Sequence, residues 1–201
     1  MRKRNPQGHR SASASFDLPA MRDGLRSFLL AAGFELEGTE LESTPDRAAR
    51  AFRDSFLDGY EADPARIFAE VYPASGSSLA PVLLKGISFH GLCPHHLLPY
   101  RGVAHLSYVP RKKLASLSSL ARVVDCFAHR LEIQENVTRQ IADALHLHLE
   151  AEGSAVVLET DQTCMTMRSP ERRGVTTVTR HFTGVFQKRS ELRIEFLESL
   201  S

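Results

Sequence analysis

From residue 82 onward the hydrophobic period of the chain switches twice, and the order of those switches is what most limits the fold. VLLKGISF (82–89) and GVAHLSYV (102–109) read as strands. LSSLARVVDCFAHRL (117–131) and QENVTRQIADALHLHLE (134–150) then place apolar residues at helical spacing, with Gly153 as the stop. SAVVLETDQTCMTM (154–167) and GVTTVTRHFTGVF (174–186) return to β-branched runs, separated by the turn-rich SPERR. Upstream, MRDGLRSFLLAAGF (21–34) and STPDRAARAFRDSFLDGY (43–60) are helical, the second with Ser43 or Thr44 as N-cap, Pro45 at the first helical position, Asp46 in the first turn and Gly59 as terminator. Helix, helix, strand, strand, helix, helix, strand, strand predicts an α+β domain with helices packed on one face of a sheet.

The expected organisation is a tail over 1–20, a helical region with a Pro, Gly and Ser-rich connector over 21–80, and the sheet domain over 81–201. The tail is basic and Ser/Ala-rich, compatible with a transit peptide but lacking a secretory apolar stretch, and reads as disordered. Lys+Arg 25 against Asp+Glu 24 leaves a net charge of +1, so neither nucleic acid nor an anionic membrane is attracted globally. No apolar run approaches the roughly 20 residues that span a bilayer. Three cysteines are too few and too odd in number for a disulfide scaffold, which points to a reducing compartment, the cytoplasm, and to metal or core roles.

The chemistry is concentrated in GLCPHHLLPY (91–100). Cys93 and His96 have a C-x-x-H spacing that lets a tight turn aim a thiolate and an imidazole at one borderline-soft cation such as zinc. The pair alone is a weak signal, and two core cysteines with a capping histidine account for it as well. Cys126, in an apolar helical stretch, reads as core filler. Cys164, remote in sequence, is placed by a strand and turn where folding could bring it to Cys93 and His96. Three protein ligands with an open fourth position describe a catalytic zinc.

GLCPHHLLPYRGVAHLSYVPRKKL, LSSLARVVDCFAHRLEIQENVTRQIADAL, VVLETDQTCMTMR and TTVTRHFTGVF resemble GTP cyclohydrolase I in order and spacing, and TPDRAARAF is similar to that family's Thr-Pro-x-Arg helix. The resemblance covers about residues 40–190. It implies a T-fold: a four-stranded antiparallel sheet with two helices inserted between the hairpins, preceded by N-terminal helices and assembled into a homodecamer with active sites at subunit interfaces. It puts the zinc ligands at Cys93, His96 and Cys164. The implied substrate is GTP, attacked at C8 by water that zinc activates. Ring opening, loss of formate and reclosure give 7,8-dihydroneopterin triphosphate, for folate or another pterin pathway.

By the same resemblance, Glu135, in the pair Gln134-Glu135, accepts two bonds from the guanine, as an ionised carboxylate can. Ser118, Arg122 and Arg168 match triphosphate contacts, Arg47 reaches a neighbouring subunit's site, and His95 handles protons beside the zinc. Without the resemblance, each of these reads as a surface or turn residue.

The chain also departs from the family. Gln162 replaces a proton-transfer histidine, Ser119 a phosphate-binding lysine, and Ser169 a glycine. On a continuous strand Gln162 and Cys164 share one face. With a hairpin around Pro170 and Glu171, His181 falls within a few residues of Gln162, so Arg180 and His181 are expected to replace part of the lost lysine and histidine. Two other readings remain: a diverged paralogue that stops at a ring-opened formamide or releases another product, and a non-catalytic purine-binding subunit.

Overall fold

The structure is a computed structural model that describes residues 15–74 and 80–201. Two compact units divide the chain, Met1–Leu57 and Asp58–Ser201. Most of the expected basic tail lies outside the described residues.

In the first unit, α1 (Leu18–Ala31) starts where the Asp17 carboxylate accepts a bond from the Ala20 N–H at 3.0 Å. It begins three residues earlier than its apolar pattern suggests, because Asp17 caps it and Pro19 tolerates the first turn. Helix α2 (Thr44–Ala51) runs on into a π-helical turn, Phe52–Phe56.

The second unit contains an antiparallel sheet in the order β2 (Val82–Leu92), β3 (Pro99–Val109), β5 (Gly153–Asp161), β6 (Thr177–Phe182). Between its two strand pairs lie α4 (Leu117–Ala128) and α5 (Gln134–His148), giving the T-fold arrangement. A short pair, β1 (Val71–Pro73) with β4 (Lys113–Ala115), flanks them. Segment 61–80, read from the sequence as a connector, contributes helix α3 (Pro64–Ile67) and buries Ile67 and Phe68 in the main core.

Strand β5 explains how one sheet supports two cores. Its Val156 and Leu158 join the α4 and α5 side chains Val123, Val137, Ile141 and Leu145. Ala155 and Val157 point the other way into a second cluster with Phe186 and Phe196, where α7 (Val185–Lys188) and α8 (Ser190–Glu198) cover the opposite face. Both faces are therefore covered, not one. Burial on both sides is why AVVL, at the centre of GSAVVLETD, is an unbroken apolar run and does not alternate. Nothing in the helical periodicity of the sequence announced α8.

The edge strand β2 carries a bulge between Leu84 and Ile87, where Gly86 adopts a φ of 84° that a side chain would resist. The bulge leaves the register downstream fixed by Gly91↔Tyr100 and Leu92↔Pro99, which closes the hairpin on the loop 93–98.

Candidate metal centre and its surroundings

That loop is held by its own backbone. The Cys93 N–H donates to the Leu98 carbonyl at 2.9 Å and the Leu97 N–H to the Cys93 carbonyl at 2.8 Å, with Leu97 in the left-handed region at φ 54°. Cys93 is buried and the two histidines are exposed. The Cys93 Sγ lies 3.6 Å from His96 Nδ1 and 4.0 Å from His95 Nδ1.

Cys164 arrives from the C-terminal end of β5, which the pair Arg101↔Asp161 sets beside the start of β3 and so beside the Cys93 loop. Strand β5 ends at Asp161, and Cys164 sits in the single turn α6 (Thr163–Thr166), so the expected shared strand face of Gln162 and Cys164 does not exist. The turn forms because the Gln162 carbonyl accepts from the N–H groups of Met165 and Thr166 at 2.8 and 3.0 Å, and the Thr166 hydroxyl donates to Asp161 at 2.6 Å. The Thr163 hydroxyl donates to the Pro99 carbonyl and so docks the turn on the root of the Cys93 loop.

The result is a cluster in which the ligand atoms of Cys93, His96 and Cys164 all lie within 4.8 Å of one another. Zinc–sulfur and zinc–nitrogen bonds of about 2.3 and 2.0–2.1 Å at a tetrahedral angle put sulfur and nitrogen about 3.6 Å apart. The observed Cys93 to His96 separation is the same. Two thiols and an imidazole also form the borderline-soft donor set that suits zinc. Burial, then the bond to and charge of Cys93, hold the Cys164 thiol above its ordinary pKa. Adjacent sulfurs resist joint ionisation without a cation between them. The residues fit the ion.

The Tyr100 hydroxyl is buried without a hydrogen-bond partner, and its pKa is raised by burial first and then by Cys93. Neither this residue nor Thr163 was singled out in the sequence, since both act through contacts across the hairpin.

The other candidates separate into groups. Glu135 is exposed in the first turn of α5, where the helix dipole favours a carboxylate. Ser118, Arg122 and Arg168 are exposed, and the positive charge of Arg168 reaches Cys164. Arg47, in the first unit, donates to the Thr44 hydroxyl at 3.1 Å. Gln134, by contrast, is buried, with 6% exposure. The Gln162 amide nitrogen donates to Gln134 Oε1 at 2.9 Å and to the Thr160 hydroxyl at 3.0 Å.

One expectation is corrected, and one departure from the family is placed. Ser119 is buried, and its hydroxyl donates to the Ile67 carbonyl at 2.9 Å. His181 pairs with Val156, not near Gln162, because a long connection through α6 and a 3₁₀ turn replaces the tight hairpin and the ladder starts at Thr160↔Thr177. Its Nε2 lies 3.8 Å from Asp143 on α5, and Arg180 stands opposite Val157.

Comparison with known proteins gives the same direction as the cluster. The family model for GTP cyclohydrolase I matches residues 21–201. The chain belongs to the GTP cyclohydrolase I family. It is 42% identical over 173 residues to GTP cyclohydrolase 1 of Brucella anthropi, covering 86% of this chain and 81% of that one. Against the Bartonella henselae protein of the same name it is 39% identical, with 86% and 84% covered, and against that of Brucella suis 37% identical, with 89% and 84% covered. Among the described residues no helix is long and apolar enough to cross a membrane.

Proposed function

We propose that the protein is a zinc-dependent GTP cyclohydrolase I that opens the imidazole ring of GTP at C8, releases formate and recloses the product to 7,8-dihydroneopterin triphosphate. The observation that carries this reading is the convergence of Cys93, His96 and Cys164 in a chain of this family. Zinc held there would supply Lewis-acid activation of a water molecule at neutral pH.

The chain's own residues supply the rest. Glu135 accepts the guanine donors with its two carboxylate oxygens. Ser118, Arg122 and Arg168 take the triphosphate, where guanidinium forks match phosphate oxygens. Arg47 comes from the helical unit to a neighbouring subunit's site in a homodecamer. Phe28, Leu30 and Phe34, on and beside α1, are exposed, apolar surface that a neighbouring subunit of such an assembly would cover. His95, beside Cys93, holds and moves the protons of ring opening and reclosure. In this reading the enzyme is cytoplasmic and feeds folate or another pterin pathway.

One observation favours a second reading, a reaction that stops at the ring-opened formamide. Gln162 cannot titrate, and its amide nitrogen is already committed to Gln134 and Thr160. Incubation of zinc-loaded protein with GTP separates the two. A fluorescent pterin after oxidation supports the full reaction, and a formamide without pterin supports the truncated one. Neither product, or zinc content unchanged by Cys164→Ala, would overturn the metal-dependent reading.

A further inference from the structure

We infer that Gln134 is a positioning residue, not a substrate contact: its buried amide ties the first turn of α5, which carries Glu135, to the turn that carries Cys164. Every polar valence of the side chain is used inside the protein. Nε2 faces the Leu158 carbonyl at 3.2 Å, the Thr177 carbonyl at 3.1 Å and the Thr179 hydroxyl at 3.1 Å. Oε1 accepts from the Thr160 hydroxyl at 2.6 Å and from Gln162 at 2.9 Å. A flipped amide would set Oε1 against two carbonyl oxygens, so the orientation is fixed by the acceptors.

The placement of those partners gives the link its direction. Leu158↔Thr179 and Thr160↔Thr177 are ladder pairs of β5 and β6, and Gln134 touches all four residues. A second rung lies beside it, where the Thr138 hydroxyl donates to the Gln134 carbonyl at 2.7 Å and lies 2.6 Å from the Thr179 hydroxyl. The start of α5 is thus clamped to both strands. Through Gln162, the residue that caps α6, the same amide reaches the segment two residues before Cys164. No polar atom of the Gln134 side chain is left to recognise a nucleotide. Its consequence for GTP, through Glu135, rests on the proposed function, whereas its hold on the Cys164 turn does not.

The test is Gln134→Met, which keeps the volume and removes the hydrogen bonds. In metal-free protein, alkylation of Cys164 by iodoacetamide, followed by peptide mass spectrometry, is expected to accelerate roughly 10-fold while that of buried Cys126 stays constant. Zinc affinity by chelator competition is expected to fall about 10- to 100-fold, as for the loss of residues that orient metal ligands. The KM for GTP is expected to rise more than kcat falls. Gln162→Leu cuts only the arm to α6, so it serves where the first variant fails to fold; it is expected to speed Cys164 alkylation and weaken zinc without raising KM. Unchanged Cys164 alkylation in the folded variants, or acceleration shared proportionally by Cys126, would overturn the inference. Wild-type protein that neither binds zinc nor turns over GTP would refute the proposed function, and the alkylation comparison would still decide the role of Gln134.

Discussion

Replacing Ser119 with the lysine found at the equivalent family position should damage this protein and not repair it. Ser119 is 4% exposed in the first turn of α4, with its hydroxyl donating to the Ile67 carbonyl at 2.9 Å and accepting from Ser116 at 2.8 Å. Lysine removes the donor to a buried carbonyl, at about 1–3 kcal/mol. It also forces a long side chain into a filled site, at about 1–3 kcal/mol. A cation near a helix N-terminus adds roughly 0.3–1 kcal/mol. The cap survives, since the Ser119 N–H still donates to Ser116 Oγ at 3.1 Å, and the lysine stem can snorkel outward, so the lower half of the sum applies. We expect Ser119→Lys to lose about 3 kcal/mol, a fall in Tm of roughly 6–12 °C at ~2–4 °C per kcal/mol. Ser119→Ala, which loses the two hydroxyl bonds but adds no bulk or charge, should cost about 1–2 kcal/mol. Urea denaturation and the KM for GTP check both. A lysine variant of wild-type stability with a lower KM would show that the side chain turns outward to phosphate and that the inward geometry has been misread.

Gln162→His restores a titrating group beside the metal turn and should raise pterin formation and add one ionisation to the pH profile of kcat/KM, typically 10²–10⁴-fold if that proton transfer limits turnover; an unchanged rate and profile would show that the position is not used. Gly91→Ala brings a Cβ within 2.5 Å of Tyr100 Cζ and Oη and 2.7 Å of the Ala128 carbonyl, and should cost about 1–3 kcal/mol and weaken zinc, read by urea denaturation and chelator competition. Burial raises the Asp125 pKa against the opposing pull of His129 and His90, so this carboxyl favours the fold while protonated and loses that contribution as pH rises through its raised value. Asp125→Asn should therefore gain stability relative to wild type from about pH 4 upward and then level off. A relative stability that is flat or falls over that range would contradict the sign.

Much of the fold was legible because it depends on local periodicity. The α4 and α5 patterns and the β2 and β3 runs survive in the structure with ends shifted by a few residues, since a helix or strand must put its apolar face on the core whatever lies opposite. The end of β5 was not legible. TDQTCMTM reads as a continued strand by composition, and only the hydrogen bonds of the Gln162 carbonyl turn it into a helical loop. The misplacement of His181 follows from that single error, because a ladder's register depends on where the connection leaves the strand.

The sequence by itself determined the donor chemistry at Cys93 and His96, whose spacing keeps them on one short loop, and the order of elements that makes an antiparallel sheet with inserted helices. Only the tertiary structure decided which way three polar side chains face. Ser119 turns to Ile67, Gln134 closes on β5 and β6, and Cys164 reaches Cys93 across the sheet end. The physical reason is that a polar residue's role is set by the partner that satisfies it once buried, and such partners come from segments remote in the chain.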